Sequence, residues 1–125
     1  MADAPNQQAP DVDPPDGPAP DTLQITDITV GDGPQASPGD TVRVHYVGVE
    51  HDSGDEFDSS WRRGEPIAFP LRGLIQGWQD GIPGMRVGGR RRLVIPPELA
   101  YGPSGAGHEL SGRTLIFVID LLGVG

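Results

Sequence analysis

Alternation of apolar and polar side chains is the pattern that most constrains how this chain can fold. In the segment 41–49, TVRVHYVGV, apolar side chains at Val42, Val44 and Tyr46 are separated by single polar residues. Successive side chains of a β-strand point to opposite faces, so this spacing predicts a half-buried strand. Further strands are predicted at 23–30 (with a break at Asp27), 90–95 and 114–122, and the short proline-bounded segment 65–71 is predicted to be an edge or irregular strand.

Only one segment has the spacing of a helix. Ile75, Trp78 and Ile82 are spaced i, i+3 and i+7, which is one face of about two turns, and Pro83 ends the pattern. A helix this short is marginal alone, so its apolar face must pack on the sheet. The sequence therefore predicts the α+β class, with an antiparallel sheet and one short helix packed against it.

Residues 1–22 have a different composition from the rest of the chain. They contain six prolines and five aspartates and no basic side chain. Such a segment cannot bury enough apolar surface to offset the entropy of ordering it. We therefore predict a disordered, acidic, Pro-rich tail over 1–22 and a single folded domain over 23–125.

Composition excludes several classes of function. The chain has no cysteine, so it has no thiolate metal site, and all nine basic residues are arginine, which excludes a lysine nucleophile. A net charge of −9 argues against a nucleic-acid surface. No apolar run is long enough to span a membrane, and the first ten residues lack the features of a secretory signal, so a cytoplasmic location is predicted.

The histidines and the acidic segment 51–56 are candidates for metal or hydrolytic chemistry. The histidines have no short ligand spacing, so structural or solvent-facing roles are favoured, and no metal site is predicted. A pair of carboxylates could serve a hydrolase, but Asp and Gly also favour turns, and a solvated turn is the favoured interpretation. The residues concerned are His45, His51, His108, Asp52, Asp55, Glu56 and Asp58.

The serines at 59 and 60 and the arginines at 90–92 are also candidates for chemistry. FDSSWRRG has no glycine elbow around its serines, so Ser59 is interpreted as a turn or capping residue. Three consecutive arginines on a strand point alternately to its two faces and cannot form one phosphate-binding patch. A solvated strand with one inward ion pair is therefore the favoured interpretation.

Five sequence strings, taken together in order, resemble a known family. They are VHYVG at 44–48, FDSS at 57–60 followed by Arg63, LIQGWQDGIPGM at 74–85, GGRRRLVIPPELAYG at 88–102 and TLIFVIDLL at 114–122. Over about residues 23–125 the chain closely resembles the FKBP-type peptidyl-prolyl cis–trans isomerases. The resemblance implies a curved antiparallel sheet wrapped around one short helix. It also implies a monomeric enzyme without a cofactor that assists folding by isomerising Xaa-Pro bonds and binds macrolides of the tacrolimus and rapamycin type.

The resemblance also implies roles for particular residues. Trp78 matches the tryptophan at the floor of the family's pocket, and Asp58 matches the pocket aspartate, with Arg63 and Tyr46 as its tethering partners. Catalytic roles are implied for Asp58, for the Tyr101 hydroxyl and for the Ile75 N–H as hydrogen-bond donors. The substrate-binding residues implied are Tyr46, Phe57, Asp58, Arg63, Ile67, Leu74, Ile75, Trp78, Tyr101, Leu110 and Phe117.

The chain departs from the family pattern at four places, one of which is the segment before Leu74, about two residues shorter than in the best-known members. Ile67 stands where many members have a wall phenylalanine, and Trp61 is unusual beside the Asp58–Arg63 pair. The loop 102–113 lacks the usual isoleucine and proline stretch, and Leu110 is a loose substitute for it. Because that loop overhangs the pocket in the family, an alternative function is a catalytically weak module that binds prolyl peptides or a partner protein.

Overall fold

The sheet is open, antiparallel and six-stranded, as the computed structural model of residues 10, 12, 17–103 and 105–125 shows. The strand order is β1-β5-β6-β2-β3, and β4 pairs with β2 beside β3. This arrangement confirms the predicted α+β class. The strands are β1 (Gln24–Thr29), β2 (Thr41–Glu50), β3 (Glu56–Ser59), β4 (Ile67–Pro70), β5 (Arg90–Ile95) and β6 (Leu115–Val124).

The predicted helix forms as α2, Gln76–Gly81, and it lies on one face of the sheet. Ile82 follows it as the C-cap, and Trp78 and Ile82 are almost fully buried in the main core. We call the face of the sheet that packs against α2 the inner face and the opposite one the outer face. The inner face carries the alternating apolar residues predicted from the sequence, among them Val42, Val44, Leu93, Ile95, Leu115, Phe117, Ile119 and Leu121.

A glycine allows α2 to lie close to the sheet. A Cβ atom at Gly77 would lie 2.5–2.8 Å from three side-chain atoms of Ile95 on β5. Such separations are well inside van der Waals contact, so any larger residue would push the helix away from β5. The abundance of glycine around Trp78 therefore has a packing reason.

The predicted break in β1 is a register shift between Asp27 and Thr29. The carboxylate of Asp27 forms an ion pair with the guanidinium of Arg91, which faces inward from β5. Arg91 is buried, and its Nη1 also donates to the carbonyls of Gly81 and Pro83, at 2.8 and 3.3 Å. It thereby satisfies carbonyl groups at the end of α2, which have no partner within the helix. The single inward ion pair predicted for the arginine run is thus Arg91–Asp27.

Two elements differ from the sequence prediction. The segment 51–56 was predicted to be a turn throughout, but its last residue, Glu56, already begins β3. After β3 the chain forms a four-residue helix, α1 (Ser60–Arg63), and Ser59 caps it by accepting a hydrogen bond from the Arg62 N–H. The capping role interpreted for Ser59 is therefore confirmed. The elements β3 and α1 were not predicted, because four residues are too few to show the periodicity of a strand or a helix.

Most of the predicted tail lies outside the described residues. Of 1–22 the structure describes Pro10, Val12 and residues 17–22, and Val12 packs against the outer face of the sheet. Disorder over 1–22 and the domain boundary at 23 stay predictions. In the part of the chain that the structure describes, no helix has the length and apolarity needed to cross a membrane.

Candidate active site

A cleft of about 110 Å³ opens between the inner face of the sheet and the N-terminal end of α2. Strands β2, β3, β4 and β6 contribute one side of it, and the segment that enters α2 contributes the other. A single aspartate interrupts a lining of apolar and aromatic residues, the usual composition of a small-molecule site. The cleft is lined by Tyr46, Phe57, Asp58, Ile67, Phe69, Leu74, Ile75, Trp78, Tyr101 and Phe117.

Trp78 holds two neighbouring rings edge to face in the cleft. Its ring centroid lies 5.2 Å from those of both Tyr46 and Phe117, with interplanar angles of 83° and 87°. Phe57 stands against Phe117 in the same manner, at 5.5 Å. Edge-to-face pairs are favoured by the quadrupoles of aromatic rings. The four rings therefore support one another's orientation, and Trp78 is only 4% exposed.

Gly48 on β2 makes room for this cluster. A Cβ atom there would lie 2.7 Å from the Phe57 ring and 2.8 Å from the Phe117 ring. A larger residue at this position would force the two rings apart. The glycine of the VHYVG string thus has a structural role in shaping one wall of the cleft.

Asp58 is held by three donors. Tyr46 Oη donates to its Oδ2 at 2.5 Å, the Ser59 N–H donates to Oδ1 at 2.9 Å, and Arg63 Nη1 also donates to Oδ1. Arg63 Nη2 donates to Tyr46 Oη at 2.9 Å, which closes a ring of hydrogen bonds among the three side chains. Charge-assisted bonds of this kind fix a carboxylate's orientation.

The network also fixes the protonation of its tyrosine. Burial, and next the hydrogen bond to the Asp58 carboxylate, raise the pKa of Tyr46 to about 12. Hydrogen bonds to Tyr46 and then Asp58 raise the pKa of Arg63. At neutral pH Tyr46 is therefore a donor and Arg63 a cation, so two of the three donors to Asp58 are side chains that keep their protons.

Tyr101 also lines the cleft, and it immediately precedes the loop 102–113. Burial, and secondarily the negative charge of Asp58, raise the pKa of Tyr101, so its hydroxyl keeps its proton at neutral pH. His108 from the loop stacks on the Tyr101 ring, with centroids 4.1 Å apart and an angle of 12°. Ser111 Oγ donates to the Tyr101 carbonyl at 2.8 Å, so the loop holds both the ring and the backbone.

Ile75 is the residue that immediately precedes α2. Its carbonyl accepts from the N–H groups of Trp78 and Gln79, at 3.0 and 3.2 Å, and so opens the helix. A residue at this position keeps its own N–H outside the helical hydrogen-bond pattern. The Ile75 N–H and the Tyr101 hydroxyl are therefore two donors associated with one cleft.

All but two of the residues predicted for the site line this cleft. Arg63 lies behind Asp58 and contacts it and Tyr46 without lining the cleft, and Leu110 packs at the edge of the main core. Phe69, which is 43% exposed, lines the cleft but was not predicted. The pattern that could have indicated it is simple: Phe69 is two residues after Ile67 and therefore on the same face of β4.

The alternative chemistries weighed from the sequence find no support in the geometry. Asp58 contacts an arginine and a tyrosine rather than a second acid. Ser60 is completely buried, and its Oγ bonds to the backbone of Tyr46 and to His45 Nδ1 at 2.7 Å, so it is inaccessible to a substrate. Among the described residues, no three His, Asp or Glu side chains are grouped to hold a metal ion.

Comparison with known proteins gives the chain's family. A family model described as FKBP-type peptidyl-prolyl cis-trans isomerase matches residues 33–122. A probable FK506-binding protein of Corynebacterium glutamicum is 64% identical over 115 residues, covering 92% of this chain and 98% of that protein. An FK506-binding protein of Streptomyces anulatus is 54% identical over 121 residues, covering 94% of this chain and 98% of its own length.

A solved structure gives the same answer for the fold. The crystal structure of FkpA from Escherichia coli superposes with a TM-score of 0.75 at 44% identity, and the match covers 82% of this chain. The matched part is 47% of the FkpA chain, so this chain corresponds to about half of that protein. The chain belongs to the FKBP-type peptidyl-prolyl cis–trans isomerase family and is a peptidyl-prolyl cis–trans isomerase.

Proposed function

We propose that the cleft around Trp78 is the place where an Xaa-Pro bond is isomerised. A proline ring is a compact apolar group, and the four clustered rings form a floor and wall suited to hold it while the preceding residue turns. The observation that carries the proposal is this apolar cleft, whose lining includes both the hydrogen-bonded Asp58 and Tyr101.

The reaction needs no nucleophile and no metal, because no covalent bond forms or breaks. Rotation about a peptide bond must overcome a resonance barrier of ~18–20 kcal/mol. The twisted transition state has lost that resonance, so its carbonyl and nitrogen carry less separated charge than the planar ground state. An apolar cleft that excludes water disfavours the polar planar form relative to the twisted one.

Fixed donors supply the second contribution. The Tyr101 hydroxyl and the Ile75 N–H can bind substrate carbonyls, and only the part of that binding that is stronger in the twisted geometry accelerates rotation. Asp58 has no proton to remove in this reaction. In the proposed mechanism it is a fixed anion that shapes the wall and biases the local electrostatic field.

The decisive experiment is the substitution Asp58→Val. It removes the acceptor of the Tyr46–Arg63 network, and we expect kcat/KM to fall about tenfold, which corresponds to about 1.4 kcal/mol of transition-state stabilisation. A protease-free NMR exchange assay on a Leu-Pro peptide measures the rate, and circular dichroism reports whether the domain stays folded. Asp55→Val is the matched control, since Asp55 is exposed and does not line the cleft.

Equal rates for folded wild-type protein and Asp58→Val would refute the role assigned to Asp58. The same assay tests the alternative function suggested by the loop 102–113. Peptide binding without any acceleration of exchange by the wild-type protein would favour a binding module.

We also propose that the cleft binds macrolides of the tacrolimus and rapamycin type. The support is its aromatic lining, together with the relatives at 64% and 54% identity, which are named as FK506-binding proteins. Fluorescence of Trp78 in a Trp61→Phe background should be quenched on titration with tacrolimus; unchanged emission at saturating ligand would contradict the proposal. A monomeric state and a cytoplasmic location stay predictions, the first to be checked by analytical ultracentrifugation.

A further inference from the structure

The outer face of the sheet is divided into an apolar half and a charged half. Along β2, β5 and β6 the outward residues change from charged to aliphatic, or the reverse, within each strand. The strand register brings the aliphatic ends together and the charged ends together. The apolar half consists of Val47, Val49, Val94, Ile116 and Val118, and the charged half of Arg43, Arg90, Arg92 and Asp120.

The apolar half is buried although α2 lies on the other face. Ile116 is 0% exposed and Val118 is 2% exposed. A sheet face loses its exposure to water only when other groups pack on it. The partly buried hydrophobic residues that pack against the cluster of Val47, Val49, Val94 and Ile116 are, among the described residues, Trp61 and Val12.

Trp61 packs against the apolar half of this face, and we call the surface that they form together the outer-face groove. Trp61 projects from α1, and its ring stacks on His45 of β2, with centroids 4.0 Å apart and an interplanar angle of 13°. Its indole Nε1 is buried and has no hydrogen-bond partner among the described residues. A tryptophan on the outer face of a sheet can hide its N–H edge only if another segment covers it.

Val12 packs on the same apolar cluster as Trp61. It is the only large aliphatic residue between Met1 and Leu23, and it is half-buried against the outer-face cluster. A single apolar side chain in an otherwise polar segment can anchor that segment when it enters a hydrophobic groove.

The charge and the backbone stiffness of residues 1–22 both favour packing of this segment on the outer face of the sheet. Residues 1–22 carry five aspartates, and the charged half of the outer face includes Arg43 as well as Arg90, which is paired with Asp120. Complementary charge of this kind orients an approaching segment. The prolines restrict the free chain to extended conformations, so docking orders fewer degrees of freedom than it would in a flexible linker.

We propose that the outer-face groove beside Trp61 is a second peptide-binding surface, occupied by this chain's own N-terminal segment with Val12 as its anchor. The groove takes an extended, acidic, Pro-rich segment with one aliphatic side chain. It lies on the face of the sheet opposite to the prolyl cleft. Because Trp61 is two residues before Arg63, the docked segment braces the helix that carries Arg63.

The two tryptophans make the proposal measurable in the full chain. Each gives one indole N–H signal in a ¹⁵N-correlated NMR spectrum, and Trp61→Phe assigns them. Val12→Asp places a charge in the groove, and we expect the Trp61 indole signal to shift and its exchange with solvent to accelerate roughly tenfold. The Trp78 signal and the isomerase rate should stay unchanged. Ala19→Asp adds the same charge at an exposed position and is the matched control.

A synthetic peptide of residues 7–18, added to protein that lacks residues 1–16, should restore the Trp61 signal. Unchanged Trp61 exchange in Val12→Asp, with both indole signals showing a folded domain, would overturn the proposal. So would a deletion that moves the Trp61 signal when Val12→Asp does not, because Val12 would then not be the anchor. A Trp61 shift that depends on protein concentration would assign the groove to the segment of a second copy and overturn docking within one chain.

Discussion

Asp58 illustrates how single side chains shape this site. Its carboxylate is oriented by Tyr46, Ser59 and Arg63, and the arginine is far enough behind the cleft that it need not contact the substrate. The anion is therefore prepared before any substrate arrives, which removes a reorganisation cost from the reaction. Tyr101 is held differently: its ring stacks on His108, and its carbonyl accepts a hydrogen bond from Ser111.

Removal of the Tyr101 hydroxyl should weaken catalysis without weakening the fold. A neutral hydrogen bond contributes about 0.5–1.5 kcal/mol, so Tyr101→Phe should lower kcat/KM by roughly two- to tenfold. The ring and its stack with His108 remain, so the urea midpoint should be unchanged. The wild-type rate should be flat between pH 7 and 9, since the pKa values of Tyr46 and Tyr101 are both raised. An unchanged rate in Tyr101→Phe would remove the hydroxyl from the mechanism.

His45 should make stability depend on pH. Burial, which outweighs the opposing charge of Asp120 and is reinforced by Arg43, lowers the pKa of His45 below 6.5. The folded state therefore binds this proton less readily than the unfolded state. The stability that His45 contributes is present above about pH 6.5 and is lost as the pH falls through the folded-state pKa.

The test compares His45→Gln with the wild-type chain in urea at pH 7.5 and pH 5.5. The wild-type protein should lose more stability on acidification, because glutamine keeps a neutral polar group near Ser60 but cannot take up a proton. His51, His108 and the carboxylates are the same in both proteins, so the difference isolates His45. Equal losses would show that His45 does not contribute.

Among the larger elements, α2 is a helix that only the sheet can stabilise. It has six residues, too few to be stable alone, and its end is completed by Arg91 from β5. The close contact of Gly77 with Ile95 fixes its height above the sheet. That height in turn sets the position of Trp78 under the cleft.

Gly77→Ala should therefore destabilise the domain although alanine favours helices. Helix propensity alone would stabilise the variant by about 1 kcal/mol. Overpacking against buried Ile95 should cost about 1–3 kcal/mol, so the clash should dominate and the urea midpoint should fall. Gly73→Ala is a suitable control, because the nearest atom to its added Cβ would be 3.9 Å away. A Gly77→Ala protein more stable than wild type would contradict this account of the packing.

In the molecule as a whole, the two faces of one sheet have separate tasks. The inner face and α2 form the core and the prolyl cleft, while the outer face contacts Val12 and Trp61. The link between the faces is α1, which carries Trp61 on one side and Arg63 on the other. Because the cleft is built entirely from residues after position 40, its chemistry should not need the N-terminal segment.

Deletion of residues 1–21 should accordingly leave the isomerase rate unchanged while the domain becomes less stable to urea. The rate reports the cleft, and the urea midpoint reports the apolar area that Val12 covers. A strong loss of activity in the folded deletion protein would show that residues 1–21 are more than a passive segment for catalysis. An unchanged midpoint would count against docking of Val12.

The sequence predicted much of the site by resemblance but not its boundaries. Trp78, Asp58 and Tyr101 could be assigned from strings that match a family, and the structure brings them around one cleft. Phe69 also lines the cleft, and the alternation that places it on the same face of β4 as Ile67 is the pattern that indicates it. Leu110 does not line the cleft and packs at the edge of the main core, in a loop that is held by hydrogen bonds within 102–113.

The sequence by itself determined five of the six strands, the single apolar face of α2 and the family, because periodicity and local strings are properties of neighbouring residues. Only the tertiary structure decided which side chains meet. The ring of bonds among Tyr46, Asp58 and Arg63, the contact of Gly77 with Ile95 and the packing of Val12 on the outer face all depend on strand register and on distances across the sheet. Such distances join residues far apart in the chain, and no local pattern encodes them.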